Sequence, residues 1–167
     1  MSPLEESEAS LDANVILDFY LTGNADVLEQ ALTRRMLVSD FVEAELTKSN
    51  AAVPRGSKVV CSNSEEELIF FGNLRRSFTR LSSGEIGAIT VAYFHSAIFV
   101  SNDALAQDSA TNFAIDVSGS LGILRAAVSV SIITPARAIE IMDEMIFAGT
   151  CFSTDQVDKF RASMLGS

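Results

Sequence analysis

Four acidic residues stand at the ends of apolar segments, where a carboxylate needs either a partner or contact with water. They are Asp12, Glu45, Glu85 and Asp103. Asp12 interrupts the apolar stretch SLDANVILD, and Asp103 follows the short apolar run 97–100. If the four converge, their mutual repulsion requires a cation, and carboxylate oxygens suit Mg²⁺ or Mn²⁺. Two such ions about 4 Å apart could activate water and stabilise the leaving oxygen of a phosphodiester.

Each of these acids also has an ordinary structural interpretation. Asp12 and Asp103 fall between a strand and a helix, where aspartate is a common N-cap. Ser82 and Glu85 have the spacing of a capping box, in which the glutamate caps its own helix. Glu45 shares the apolar face of its predicted helix, and from the edge of that face it could reach water. The two interpretations differ in whether the four carboxylates meet in one crevice.

Two further acids near these positions are predicted to lie in solvent. Asp18 belongs to the same stretch as Asp12, but no other segment of the sequence supplies it with a partner. Glu43 lies on the polar face of the helix that carries Glu45. We therefore assign neither acid to a site.

The elements that would position the acids follow the order of a parallel α/β sheet. Five short β-type runs are predicted at 10–12, 35–38, 57–61, 97–100 and 114–117. Helical segments lie between them, the clearest at 39–48, and two more follow at 135–147 and 153–164. This alternation predicts helices on both faces of the sheet. Ligand sites of such sheets lie outside the carboxyl ends of the strands, where Asp12 and Asp103 are expected.

Composition limits the chemistry available to the chain. His95 is the only histidine, and the two cysteines, Cys61 and Cys151, are far apart in the sequence. This set cannot form a Cys/His zinc site and argues against a disulfide framework. A Ser-His-Asp triad would need a G-x-S-x-G nucleophile elbow, which the sequence lacks. Carboxylates must therefore carry any catalysis.

The chain length of 167 residues fits one domain. We expect a polar N-terminal leader over 1–9 and a single domain over 10–167, with a helical C-terminal region over about 119–167. No apolar run approaches the roughly 20 residues of a membrane-spanning helix, so no membrane partner is expected. The acidic N-terminus has no basic region, which argues against a signal peptide. The expected location is the cytoplasm.

The formal net charge of −10 argues against a nucleic-acid partner, because phosphates are normally met by lysine and arginine. The distribution of charge weakens that objection. Eight of the twelve basic residues lie between Arg34 and Arg80. Both a basic patch and an ordinary solvated surface fit this distribution.

Four segments, taken in order, resemble the PIN-domain nucleases, the fold of VapC-type toxins and of related stand-alone prokaryotic proteins. They are LDANVILD, VSDFVEAEL, LSSGEIGAITVA and IFVSNDALAQDSA. The segments GSLGILRAA and STDQVDKFRASM are similar to the C-terminal helical region of one prokaryotic PIN subfamily. The resemblance implies a PIN-like three-layer α/β/α fold, with a short-stranded, mainly parallel central sheet and a helical C-terminal extension.

The resemblance also implies a metal-dependent ribonuclease that hydrolyses RNA, with water as the nucleophile and Mg²⁺ or Mn²⁺ as the cofactor. The family's catalytic and metal-binding acids fall on Asp12, Glu45, Glu85 and Asp103. Asn14 is then a supporting residue nearby. The family often has two adjacent acids where this chain has Asn102 and Asp103, so we expect weaker metal binding, with Asp108 as a substitute ligand. On charge alone, the residues expected to contact RNA are Arg34, Arg75, Arg76 and Arg80.

Toxins in the family make an antitoxin protein a candidate partner, and a homodimer is a candidate assembly. A PIN-fold protein-interaction module with weak or no catalysis is an alternative of a different class. The net charge and the neutral side chain of Asn102 motivate it. A receiver-like domain, with one Mg²⁺ beside a phosphorylated aspartate, ranks lower because its adjacent acids after the first strand and its late lysine are not seen here.

Overall fold

Residues 3–166, which a computed structural model describes, fold around a sheet of five parallel strands. The first two residues of the predicted leader and the last residue of the predicted domain lie outside the described residues. The strands are β1 (Ala9–Leu11), β2 (Met36–Ser39), β3 (Lys58–Val60), β4 (Ile98–Val100) and β5 (Val117–Ser118). Their order across the sheet is β3-β2-β1-β4-β5.

The first strand, β1, lies at the centre of the sheet and marks the point where the strand order reverses. Ser10 of β1 pairs with Leu37 of β2 on one side and with Phe99 of β4 on the other. A crevice is expected at the carboxyl ends of the two strands that flank such a switch point. The chain places Asp12 directly after β1 and the segment 101–103 directly after β4.

Helices make up most of the remaining described chain. They are α1 (Ala13–Leu21), α2 (Ala25–Leu32), α3 (Asp40–Lys48), α4 (Glu65–Ser77), α5 (Ser83–His95), α6 (Ala104–Thr111), α7 (Ser120–Ser129), α8 (Pro135–Phe147) and α9 (Thr154–Leu165). Three of these helices begin after a serine whose side chain accepts a backbone hydrogen bond as the N-cap: Ser39 before α3, Ser64 before α4 and Ser153 before α9. No helix within residues 3–166 is long and apolar enough to cross a membrane.

Helix α5 is the most buried helix around the sheet, as its nearly continuous apolar sequence predicts. Its residues 86–92 are buried, and it packs against β1, β2 and β4, with α3 and α4 beside it. The Ser10 hydroxyl donates to the Ala88 carbonyl at 2.7 Å, which fixes α5 on the sheet. Helices α2 and α7 pack against each other, and α8 and α9 follow α7. The α/β class with a parallel sheet flanked by helices is confirmed.

The segment predicted as a polar leader contributes two residues, Leu4 and Ala9, to the core, and Ala9 is also the first residue of β1. Leu4 lies in a short 3-10 turn and is 1% exposed. The Arg35 guanidinium donates to the carbonyl oxygens of Leu4 and Ser7, and to that of Ala31 at 3.0 Å. Composition does not reveal the burial of Leu4, because Glu5 and Glu6 follow this leucine directly in the sequence.

The last strand begins later than predicted. The sequence favours a strand over 114–117, whereas β5 covers Val117–Ser118. Residues Ala114 and Ile115 instead close α6, because their amides donate to the carbonyls of Thr111 and Ala110. Ala114 takes a positive φ of 57° in this turn, a backbone conformation that ends helices.

Candidate active site

Asp12 occupies the carboxyl end of the central strand and is 2% exposed. Its Oδ1 accepts a hydrogen bond from the Ala13 amide at 2.8 Å, so the carboxylate is the N-cap of α1. Its Oδ2 accepts a hydrogen bond from the Ser101 hydroxyl at 2.7 Å. The capping interpretation is therefore confirmed, and it places a buried carboxylate beside the end of β4.

Burial raises the pKa of Asp12 from 3.8 to about 7. The hydrogen bonds from Ser101 and Ala13 lower this pKa, whereas the charges of Glu85 and Glu45 raise it further. A neighbouring negative charge raises the pKa of a carboxyl group when the two groups lie close together and little water separates them. Three of the four predicted acids therefore share one electrostatic environment, although they come from three different elements.

Glu45 faces the sheet edge from α3 and is half-buried, whereas Glu43 on the same helix is exposed, as predicted. Glu45 Oε1 accepts a hydrogen bond from the Gly84 amide at 3.0 Å. This amide belongs to the first turn of α5, where free N–H groups and the helix dipole attract anions. A Cβ atom at position 84 would lie 2.5 Å from Cδ of Glu45, so a side chain here would displace the Glu45 carboxylate from the Gly84 amide.

Glu85 forms the capping box that the sequence predicts. Its Oε1 accepts a hydrogen bond from the Ser82 amide at 2.9 Å, and the Ser82 hydroxyl accepts one from the Glu85 amide at 3.1 Å. The box fixes the first turn of α5, which also holds Glu45 through Gly84. One turn of one helix therefore positions two of the acids.

Asp103 is the N-cap of α6 and is exposed. Its Oδ1 accepts a hydrogen bond from the Ala106 amide at 2.8 Å, and its own amide donates to the Ser101 hydroxyl at 3.1 Å. Ser101, which is fully buried, thus connects Asp103 to Asp12. We did not predict Ser101 as a site residue, although a serine directly after a buried strand was a visible signal.

The expectation that Asp18 lies in solvent is wrong. Asp18 is half-buried, and its carboxylate accepts hydrogen bonds from Thr150 at 2.7 Å, Ser120 at 3.0 Å and Asn102 at 2.5 Å. Burial raises the pKa of Asp18, and these three hydrogen bonds oppose the rise. The donors come from segments 84 to 132 positions away, so the local sequence could not indicate them.

This network explains the neutral residue at position 102. The Asn102 amide nitrogen donates to Asp18 and to the Ser120 hydroxyl, and its Oδ1 accepts from the Ser120 amide at 2.9 Å. A carboxylate could accept from Ser120 but could not donate to Asp18. An amide is therefore the side chain that satisfies its neighbours here.

We expect Asn102→Asp to lower the free energy of unfolding by about 2 kcal/mol at neutral pH, because two carboxylates would then face each other without a donor. The loss should shrink in acid, where one carboxyl holds a proton. Urea unfolding at several pH values measures this change. Asn63→Asp, at an exposed position, is the control. An equal loss at both positions would contradict the network, as would a failure of Asp18→Asn to restore stability in the double variant.

Asn14 and Asp108, the two predicted supporting residues, differ in how close they lie to the segment that follows β4. Asn14 is half-buried in α1, and its Oδ1 accepts a long hydrogen bond of 3.5 Å from the backbone N–H of Asn102. Asp108 lies further along α6 and is exposed. These positions place Asn14 beside the segment after β4 and leave Asp108 in contact with solvent.

The four predicted RNA-contacting arginines do not form one patch. Arg75 donates to the Ser83 hydroxyl at 3.1 Å, which places it at the first turn of α5. Arg76 bonds within α4, and Arg80 is exposed in the link to α5. Arg34 precedes β2 and so lies at the opposite edge of the parallel sheet. Arg34 is therefore distant from the first turn of α5, and RNA contact by the four arginines stays a prediction.

The donor set of the site fits a hard cation, since carboxylate oxygens are the ligands that Mg²⁺ and Mn²⁺ prefer. Within residues 3–166, no three His, Cys, Asp or Glu side chains are grouped closely enough to hold a metal ion by themselves. Protein sites for Mg²⁺ commonly use one or two carboxylates and complete the shell with water and substrate phosphate. The buried, like-charged surroundings of Asp12 fit a cation of this kind.

The parallel sheet and the switch point at β1 define an α/β fold in which acids lie at the carboxyl ends of the central strands. A family model described as a PIN domain matches residues 10–164, and the chain therefore belongs to the PIN-domain family. The resemblance seen in the sequence is confirmed. PIN domains are generally nucleases, and they typically use divalent metal ions. No curated protein matches the sequence.

Proposed function

We propose that the protein is a metal-dependent endoribonuclease that hydrolyses RNA phosphodiester bonds. The observation that carries this proposal is the position of Asp12, buried at the carboxyl end of the central strand and within electrostatic reach of Glu45 and Glu85. Asp103 is linked to the same place through Ser101. The proposed catalytic and metal-binding residues are Asp12, Glu45, Glu85 and Asp103.

Each acid is positioned by groups that do not react. Asp12 is fixed by Ala13 and Ser101, and Glu45 by the amide of Gly84. Fixed carboxylates bind a cation without first losing side-chain entropy, and they orient substrate and water around it. When bound, Mg²⁺ or Mn²⁺ lowers the pKa of water and polarises the scissile phosphate. We infer that Arg75 contacts the RNA backbone, and its hydrogen bond to Ser83 beside the first turn of α5 supports this role.

RNA as the substrate, a toxin role with an antitoxin partner, a homodimer and a cytoplasmic location are further parts of the proposal. They rest on the resemblance to the PIN nucleases.

We expect Glu45→Gln and Asp103→Asn each to slow Mn²⁺-dependent cleavage of single-stranded RNA by about 100-fold or more, because each removes a negative ligand. Glu43→Gln removes the same charge from the exposed face of α3 and is expected to stay within about twofold of the wild type. Initial rates with a labelled RNA, together with calorimetric titration of Mn²⁺, measure both effects. Equal rates in all the proteins would refute the assignment.

A protein-interaction module that has lost catalysis is the second candidate. One observation favours it: all four acids already accept hydrogen bonds as caps or from an adjacent helix. Such contacts stabilise the fold without a metal. If Mn²⁺ does not bind in the calorimetric titration, this second function is preferred, whereas tight binding that Glu45→Gln weakens argues against it.

A further inference from the structure

A cavity of about 380 Å³ lies between β5, α7 and α9, next to the segment that follows β4. The residues that matter for its chemistry are Asn102, Gly119, Arg125, Phe152, Asp155 and Lys159. Its volume falls within the range of small-molecule sites. None of the acids proposed for catalysis lines it.

The cavity lies along the same edge of the sheet as the acids, at the carboxyl ends of the strands. Asn102 forms part of its wall and stands between Ser101, which binds Asp12, and Asp103. Gly119 follows β5, so the cavity lies at the carboxyl end of the strand beside β4. An extended chain bound across the acids along this edge would therefore enter the cavity.

Two cations line the cavity in a region otherwise poor in free positive charge. Arg125 stacks on the Phe160 ring, 5.1 Å from its centroid, and forms no ion pair with any residue of 3–166. Lys159 pairs with Asp155 at 2.8 Å, but both side chains are more than two-thirds exposed. An exposed pair of this kind contributes little and exchanges readily for another anion.

The other two basic residues of this half of the chain are engaged elsewhere. Arg137 binds Glu140 and Glu144, and Arg161 binds Asp143. The ring of Phe152 adds a half-buried aromatic side chain to the cavity wall. Basic side chains bind phosphates, and aromatic rings stack on bases, so the cavity wall holds both kinds of contact that a nucleotide needs.

We propose that this cavity binds a nucleotide of the RNA strand next to the scissile phosphate, with Arg125 and Lys159 contacting the backbone and Phe152 contacting the base. The proposal rests on the proposed function, since it takes the acids as the cleavage centre. On this proposal the bound RNA runs from the acids at the ends of β1 and β4 towards α7 and α9.

Binding of a labelled single-stranded RNA, measured by fluorescence anisotropy over a range of salt concentrations, tests the cavity. Ca²⁺ replaces Mn²⁺ in this assay to suppress cleavage. We expect Arg125→Gln and Lys159→Gln each to weaken binding by about fivefold and to reduce the slope of log K against log salt by about 0.7, the value for one phosphate contact. Asp155→Asn frees Lys159 and is expected to strengthen binding.

Arg161→Gln is the matched control, because it removes one positive charge from α9 outside the cavity. It is expected to leave the affinity within about twofold and the salt slope unchanged. If the wild type cleaves RNA but the cavity variants bind like the control, the cavity proposal is overturned and the proposed function stands. If the wild type neither binds nor cleaves RNA, both fail. A gain of affinity in Asp155→Asn supports the cavity, because loss of structure would not produce it.

Discussion

Asp12→Asn is expected to stabilise the metal-free protein and, at the same time, to reduce Mn²⁺-dependent RNA cleavage by about 100-fold or more. The two effects have one origin, a carboxylate held in a site that excludes water. Asparagine keeps an oxygen that can accept from the Ala13 amide, and its amide group can donate to the Ser101 hydroxyl. The substitution removes the negative charge. Burial disfavours this charge in the metal-free protein, whereas a bound cation requires it.

The pH dependence follows from the raised pKa of Asp12. The native carboxyl binds its proton up to about pH 7, whereas the unfolded carboxyl releases it near 3.8. Between these values the native state holds more protons, so the stability of the wild type falls as the pH rises through this window. The total loss is about 4 kcal/mol, from about 1.4 kcal/mol for each unit of pKa. Asp12→Asn should lack this loss and be the more stable protein above about pH 8.

Urea unfolding of the metal-free proteins from acid to mildly alkaline pH measures the difference. Asp158→Asn, at an exposed position on α9, is the control and should follow the wild type. Adding Mn²⁺ should raise the stability of the wild type and not that of Asp12→Asn, because a ligand stabilises only the state that binds it. A variant less stable than the wild type at alkaline pH would contradict the account of Asp12.

Gly84→Ala is expected to lower the cleavage rate by about 10- to 100-fold with a small effect on folding, because displacement of a positioned group is costly for catalysis. The new Cβ would lie 2.5 Å from Cδ of Glu45, so the carboxylate must move away from the Gly84 amide. The flexible glutamate side chain can move without unfolding α3. The backbone of α5 should remain, because the Ser82–Glu85 capping box does not involve the new methyl group.

Gly72→Ala provides the matched control, since it makes the same substitution inside α4. A Cβ there would meet only Arg76 Nη2, at 3.8 Å. It should leave the rate unchanged and raise stability by about 0.5–1 kcal/mol, the usual gain of alanine over glycine inside a helix. Cleavage rates and urea unfolding of both variants separate the loss of position from the loss of fold. If the two variants cleave at the same rate, Glu45 is not held by Gly84 for catalysis.

Local sequence was sufficient for most of the fold. Strands appeared as short apolar runs, and the start of α5 as the Ser82–Glu85 capping box, because caps and periodicity arise between near neighbours in the sequence. The acids at Asp12 and Asp103 were also visible, as carboxylates that follow apolar runs and either cap the next helix or need a cation. The resemblance then gave the family, which the match over residues 10–164 confirms.

Tertiary structure determined which residues lie close together in space. It brought Asp18 to Asn102, set Gly84 against Glu45 and separated Arg34 from Arg75, none of which are neighbours in sequence. These contacts depend on the order of the strands and on how α5 crosses the sheet, and periodicity carries no information about either. The four acids, and the caps that Asp12, Glu85 and Asp103 form, were thus predictable from local sequence. The contacts of Asp12 with Ser101 and of Glu45 with Gly84 depend on packing between segments that are far apart along the chain.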